Sequence, residues 1–247
     1  MRSGLLEVGN ITHPYDNGTV EIMLHGNETS ESEFVFNPSI MTAPKNLIVT
    51  GYVRMYGAKR DLSARLLRDA FKGKKELRVR PGLDWKSADL LSVTASNINA
   101  MGTETVMIDS YDAASGEIIL VDELKTYHFG WEDSTGADYS GIDMRSEVML
   151  LTRSINITSS NATATVNVPK GFGCHIQVND FFEPTDFSYR KGDLVMDYVM
   201  IHGCGQEETE KSAIKFESAI GGSSFITNSA IVGGERGPAQ GVYIKNA

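Results

Sequence analysis

The chain has 247 residues, 41% of them hydrophobic and 22% charged, with a formal net charge of −9. That length suits one large all-β domain or two smaller ones with a sizeable core, and the acidic balance argues against a nucleic-acid partner and gives no general pull on acidic glycans. No apolar run approaches the ~18 residues of a membrane span, so no membrane contact is expected of this stretch, and two cysteines are too few for a disulfide scaffold.

From the N-terminus, Gly4-Leu5-Leu6-Glu7-Val8-Gly9, Val20 to Gly26 and Leu47 to Val53 alternate apolar and polar residues between glycine or asparagine punctuation. Period two means strands. His13 and His25 sit in or beside such runs with no second ligand at metal spacing, so they read as structural. The first residues carry no long apolar region of the kind a secretory signal needs. Yet five N-glycosylation sequons, at Asn10, Asn17, Asn27, Asn156 and Asn161, occur among thirteen asparagines, where chance gives about two. Asn37 is excluded by Pro38. The excess points to an exported glycoprotein, and an exported chain without its own signal is expected to be part of a longer polypeptide.

Between Arg54 and Arg80 ten basic residues stand against three acidic ones. Lys59, Arg60, Arg65, Arg68, Lys72, Lys74, Lys75 and Arg78 form the centre of this cluster. It reads as a solvated face, with an anionic-glycan patch as the alternative. Leu62, Leu66 and Ala70 are four apart, the one place where a helix fits the spacing. Glu76 to Arg80 alternates strictly, Pro81-Gly82 turns the chain, and Trp85, between Leu83 and Leu90-Leu91-Ser92-Val93, reads as a core cap rather than a sugar platform. Thr105 to Asp109, a turn at Ala113 to Gly116, and Glu117 to Leu120 form a predicted hairpin. The acidic loop Trp131 to Asp143 makes calcium conceivable as a cofactor, although its spacing does not fit an EF-hand and a hydrated loop is the simpler reading. No cofactor is otherwise implied, and no zinc spacing occurs.

The run Asp143 to Ile157 places Arg145, Glu147 and Arg153 on one face of an extended chain with Val148 and Leu150 on the other. It reads as a seam where one folded unit hands the chain to the next. Past Thr158, short strands follow one another without a helix: Ala164 to Val168, Cys174 to Val178, Leu194 to Ile201, Ala213 to Phe216, Ser224 to Ile231 and Gly241 to Ile244. Such strands suit coils of a parallel β-helix, each stable only on its neighbours. Cys174 and Cys204 allow one bridge closing a loop of about 30 residues, or two buried free thiols. Catalysis needs titratable groups converging on one groove. The candidates are Asp193 with Asp197, and His202 with Lys215; His175, Asp180, Glu183 and Glu217 complete the set.

Four ordered phrases give a more specific reading: Gly51-Tyr52-Val53-Arg54-Met55-Tyr56-Gly57, the Asp84-Trp85-Lys86-Ser87-Ala88-Asp89 box, Tyr127-His128-Phe129-Gly130, and Glu147-Val148-Met149-Leu150-Leu151-Thr152-Arg153. Together they resemble the G8 domain of fibrocystin-like proteins and cell-surface hyaluronidases. The box departs from the family at Ala88, where glycine is usual, so its turn is expected to differ. The resemblance implies strand and loop around Arg65-Leu66 in place of the helix. It also implies an all-β chain: a G8-type β-sandwich or β-roll over residues 1–158, then the first coils of a right-handed, pectate-lyase-like parallel β-helix over 159–247, both incomplete. The implied function is a structural, adhesive or ligand-binding module of an extracellular, cell-surface or ciliary glycoprotein, its partners being the rest of its own chain, surface proteins or glycans. The alternative is a hyaluronidase-like enzyme.

Overall fold

A computed structural model describes residues 2–27, 29–30, 44–96, 98, 100–131, 138–139, 142–160, 171–184, 186–206, 209–219, 222–233 and 241–245. The chain is all-β apart from a single 3-10 turn at Ala100–Gly102 among the described residues. It divides into two compact units: Met1–Lys59 together with Arg153–Ala247, and Arg60–Thr152.

The first unit is built from three parallel sheets. Sheet I stacks Arg2–Val8, the second half of Asn46–Tyr56, Asp193–Asp197 and Phe225–Thr227. Sheet II stacks Val20–Leu24, Ile155–Ser159, Val199–His202 and Ala230–Val232. Sheet III stacks the first half of Asn46–Tyr56, His175–Asn179, Ile214–Glu217 and Val242–Lys245. The chain visits III, I and II in turn and then begins the next circuit one strand further along. This winding is a parallel β-helix.

Strand alternation sends one set of side chains into the coil. Ile22, Ile157, Ile201 and Ile231 are register partners in sheet II. In sheet III the corresponding row is Leu47, Ile176, Ile214 and Val242, and in sheet I Met55 faces Met196 and Ile226. Apart from Val242, which is 44% exposed, these rows form one apolar core with the other inward residues. Each fully buried isoleucine contributes roughly 1.5–3 kcal/mol, and only the circuits above and below shield it. The corners between sheets I and II use residues in the left-handed region, Tyr198 at φ 56° and Asn228 at φ 50°. Serines of the following circuit satisfy strand-starting amides, Ser224 Oγ accepting from Leu194 N at 2.9 Å and Ser229 Oγ from Val199 N at 3.1 Å.

Cys174 and Cys204 form a disulfide between neighbouring circuits, with Cα atoms 4.1 Å apart. The main chains approach so closely here that a Cβ on Gly173 would lie 2.4 Å from Gly203 O, so the flanking glycine is a packing requirement.

The second unit is an antiparallel sheet in the order Ser63–Arg65, Glu147–Leu150, Leu90–Val93, Glu104–Asp112, Glu117–Leu120, Glu76–Arg78. It closes over its own core of Leu66, Leu77, Leu91, Ile108, Ile118 and their neighbours. Trp85 is in that core, its indole N–H donating to Asp61 O at 2.8 Å. Ser63–Arg65 is strand and the chain beyond it irregular, so the helical spacing of Leu62, Leu66 and Ala70 yields to sheet pairing with Glu147–Met149. Glu104–Asp112 and Glu117–Leu120 make the expected hairpin.

The unit boundaries differ from a linear split at residue 158. Residues 60–152 are inserted within the second circuit, after the sheet I strand ending at Tyr56 and before the sheet II strand beginning at Ile155. The N-terminal strands belong to the coil because their partners are parallel strands from the far side of the insertion, such as Val20–Leu24 beside Ile155–Ser159. The chain re-enters the coil between Thr152 and Arg153.

Ala88 keeps a glycine-like turn, at φ 67°. Its N–H donates to Ile108 O at 2.8 Å, while the Asp89 carboxylate holds Lys86 N and Arg60. A left-handed alanine costs roughly 1–2 kcal/mol. Ala88→Gly is therefore expected to raise the stability of this unit by about 1 kcal/mol after the added chain entropy of glycine; a lowered urea midpoint would contradict the turn geometry.

Candidate functional site

The four residues nominated for catalysis lie on three separate sheets. Asp193 and Asp197 both face outward from sheet I, but each is engaged by a side chain of the following circuit. Asp193 accepts from the Ser223 and Ser224 hydroxyls at 3.2 and 3.1 Å, and Asp197 accepts from Asn228 Nδ2 at 2.8 Å. His202 is buried on sheet II, and burial lowers its pKa. Lys215 is on sheet III. The expected pairing of His202 with Lys215 on one surface is thus corrected: the chain turns a corner of the coil between their strands. Asp180 accepts from Gly192 N at 3.1 Å.

Lys215 has other neighbours. On the outward side of sheet III, His175, Gln177 and Asn179 lie beside Lys215 and Glu217, which lie beside Tyr243 and Lys245. Lys215 is 1% exposed and its ammonium sits 2.9 Å from Glu217 and 3.4 Å from Glu210. Lys245 bridges the same two carboxylates at 3.5 and 3.6 Å. His175 donates its Nδ1 proton to Ser212 O at 2.5 Å, because a carbonyl only accepts, which leaves Nε2 as the bare lone pair. Burial, with smaller contributions from Lys211 and Lys215 against the favourable Ser212 bond, lowers its pKa to about 4. Residue alternation could place Lys215 and Glu217 on one face, but Glu210 and Lys245 join them only through coil stacking.

The basic cluster is largely neutralised. Lys59 belongs to the coil unit and the other seven residues to the inserted unit. Arg60 binds Asp84 and Asp89, Arg65 lies beside Asp143 and Glu147, and Arg68 and Arg78 share Glu117. Lys75 donates to Val121 O. Lys72 and Lys74 are exposed without an ion pair among the described residues. Four arginines of the cluster are thus paired with carboxylates of their own unit. Most of the acidic loop, at 132–137 and 140–141, lies outside the described residues. Asp143, held by Arg145, has its pKa lowered to about 2. No group of metal-ligating side chains occurs among the described residues.

The inserted unit contains a cavity of about 440 Å³ bounded by Ala95-Ser96, Gly102, Thr126-Tyr127, Phe129 and Met144. Extended alternation turns His128 inward and presents Tyr127, Phe129 and Trp131 on the opposite side. Tyr127 is 43% and Trp131 44% exposed, and rings pair as Phe71 with Tyr127 at 5.7 Å and Phe129 with Trp131 at 6.2 Å. Behind the wall, Glu104 accepts from Lys125 N, Thr126 N and Thr126 Oγ1, each at 2.7 Å, and lies 3.0 Å from His128 Nε2. Burial alone would raise the Glu104 pKa, but these hydrogen bonds hold it below the usual carboxylate value. The odd-numbered aromatics of Tyr127 to Trp131 were the available sequence signal for this site.

The fold defines a class: a parallel β-helix interrupted by an antiparallel β domain. No family model matches the chain. It is similar to human fibrocystin-L, 26% identical in an alignment of 239 positions that covers 92% of this chain and 5% of that protein's length. Among solved structures it is similar to the Gp54 tailspike of Acinetobacter baumannii bacteriophage AP22, solved in complex with A. baumannii capsular saccharide, at 12% identity and a TM-score of 0.29 over 70% of this chain and 25% of that one. The tailspike protein gp49 of Pseudomonas phage LKA1 matches at 11% identity and a TM-score of 0.30, covering 78% of this chain and 34% of that chain.

Proposed function

We propose that this chain is a structural module of an extracellular, fibrocystin-like surface glycoprotein, a β-helix spacer that carries a G8-type domain as an insertion. The observation that carries the reading is the continuous inward ladder through successive circuits. Repetition of this kind makes a stiff support that presents side chains and insertions at fixed spacing. The similarity to fibrocystin-L along most of the chain supports the same role. A ciliary or plasma-membrane setting and adhesive partners, whether surface proteins or glycans, belong to this proposal.

Sequon geometry supplies the test. Asn10 and Asn27 are turn residues whose Oδ1 atoms accept from Thr12 and Thr29, and Asn17 is exposed. Asn156 lies mid-strand between two neighbours, with its Oδ1 shut off from solvent; Asn161 lies outside the described residues. Expressed behind a secretion leader, the chain is expected to carry glycans at Asn10, Asn17 and Asn27 and none at Asn156. Failure to be secreted, or secretion with all three sites bare, would contradict an extracellular role. Incubation with hyaluronan, with and without calcium, tests the enzymatic alternative; shortening that is lost on changing Asp193 or His202 would replace the structural reading.

A further inference from the structure

We propose that the cavity of the inserted unit binds an uncharged saccharide. Among the described residues no charged side chain lines it, and Ala95, Phe129, Met144 and the Tyr127 ring make its walls largely apolar. The lining hydroxyls are already engaged: Ser96 Oγ accepts from Phe129 N at 2.5 Å and lies 2.7 Å from Ser146 Oγ, while Thr126 Oγ1 serves Glu104 and Gly102 O. Polar recognition therefore falls to the rim. Burial, and then a hydrogen bond to the Asp69 carboxylate, raise the pKa of the Tyr127 phenol, and Asp69 Oδ1 accepts from Gly130 N at 2.9 Å.

A half-exposed ring beside a fixed carboxylate matches the two sides of a sugar. The C–H face of a pyranose packs on the Tyr127 ring, and its hydroxyls donate to Asp69. An aromatic with one apolar face and one polar end suits a ligand of that mixed character, and a cavity of this size holds one to two small rings. Charge selects among sugars. Among the described residues the carboxyl side chains of Asp69 and Glu104 lie by the cavity and no cation lines it, so a uronic acid is disfavoured and a neutral sugar accepted. This names a glycan class and a site for the adhesive role proposed above and rests on that reading.

The full chain would be titrated with uncharged tri- and tetrasaccharides of glucose, galactose, mannose and N-acetylglucosamine, and with hyaluronan oligosaccharides of equal length, following tryptophan fluorescence and calorimetry. At least one neutral series is expected to bind. Tyr127→Ala should weaken it about tenfold, equivalent to ~1.4 kcal/mol of lost contact, with the melting temperature unchanged because that side chain is half-exposed. Asp69→Asn, which keeps an acceptor for Gly130, should weaken it severalfold. Binding of none of the neutral series, preference for the acidic oligosaccharides, or full affinity in both variants would overturn the proposal; saturable binding of an apolar peptide alone would assign the cavity to a protein partner instead.

Discussion

Reducing the Cys174–Cys204 bridge, or changing both residues to alanine, is expected to lower the stability of the coil unit by about 3–4 kcal/mol, the chain-entropy value for a loop of ~30 residues. The two cysteines occupy neighbouring rungs and are buried at 0% and 4% exposure. Around them the main chains interlock, with Gly173 N donating to Gly205 O at 2.9 Å and Gly205 N to Cys174 O at 2.6 Å. Removing the bond leaves this spacing intact in the folded state but frees the unfolded chain, so the loss falls on unfolding equilibrium more than on structure. For a unit of this size it corresponds to a drop of roughly 10 °C in melting temperature. Urea unfolding with and without reductant measures it. An unchanged midpoint, or free thiols titrating in the native protein, would contradict the bridge.

Acid is expected to destabilise the same unit through His175. The folded-state pKa, about 4, is below the ordinary value of 6.5, so folding favours the neutral ring. Its contribution is complete above pH 6.5 and is lost as the pH falls from 6.5 towards 4, because the unfolded chain then binds a proton that the folded chain refuses. At 1.36 kcal/mol per pKa unit this is about 3 kcal/mol. His202, lowered by burial, acts in the same direction. Lys211 and Lys215 add to the exclusion of charge on His175, and the Ser212 carbonyl opposes it. Urea midpoints at pH 7.5 and 4.5 should differ accordingly, and His175→Asn should remove most of the difference while retaining a donor for Ser212. Equal pH dependence in the variant would show that the acid response originates elsewhere.

Much of the local structure was legible in the chain. The Thr105 to Leu120 hairpin carries alternating residues around a Gly116 that adopts φ 77°, and Trp85 was recognisable as core from its apolar neighbours. The parallel coil was legible past residue 158 from its short, helix-free strands, but the place of the N-terminal strands in it was not. Val20–Leu24 and Ile155–Ser159 are strand partners across an entire inserted unit, and no turn signal links segments so far apart. Their alternation is the same whether they begin a sandwich or a coil, which is why a linear division at residue 158 looked natural. Side-chain fate had the same difficulty. Alternation turns His175, Gln177 and Asn179 away from the core, yet all three are at most 1% exposed. Arg60 stood in a basic run read as a solvated face, and its pairing with Asp84 and Asp89 appears only on folding.

The aromatic cavity was partly legible. Tyr127, Phe129 and Trp131 repeat at period two, but the same phrase had an adequate structural meaning through its resemblance to a known domain. Asp69 gave no signal at all, since its carboxylate reaches Tyr127 and Gly130 only after Ala70 and His128 pair in an isolated antiparallel bridge.

Excision of residues 60–152 tests the nested architecture most directly. At the point of insertion, Ala58 N donates to Ser154 Oγ at 2.9 Å and Ser154 Oγ donates to Tyr15 O at 2.9 Å, so the two ends of the coil already meet and a few glycines can join them with little closure entropy. The joined coil should retain strand-type circular dichroism, cooperative urea unfolding and the Cys174–Cys204 bridge. A joined chain that is unfolded and non-cooperative at neutral pH, with its cysteines free, would contradict a β-helix whose circuits continue on both sides of the insertion.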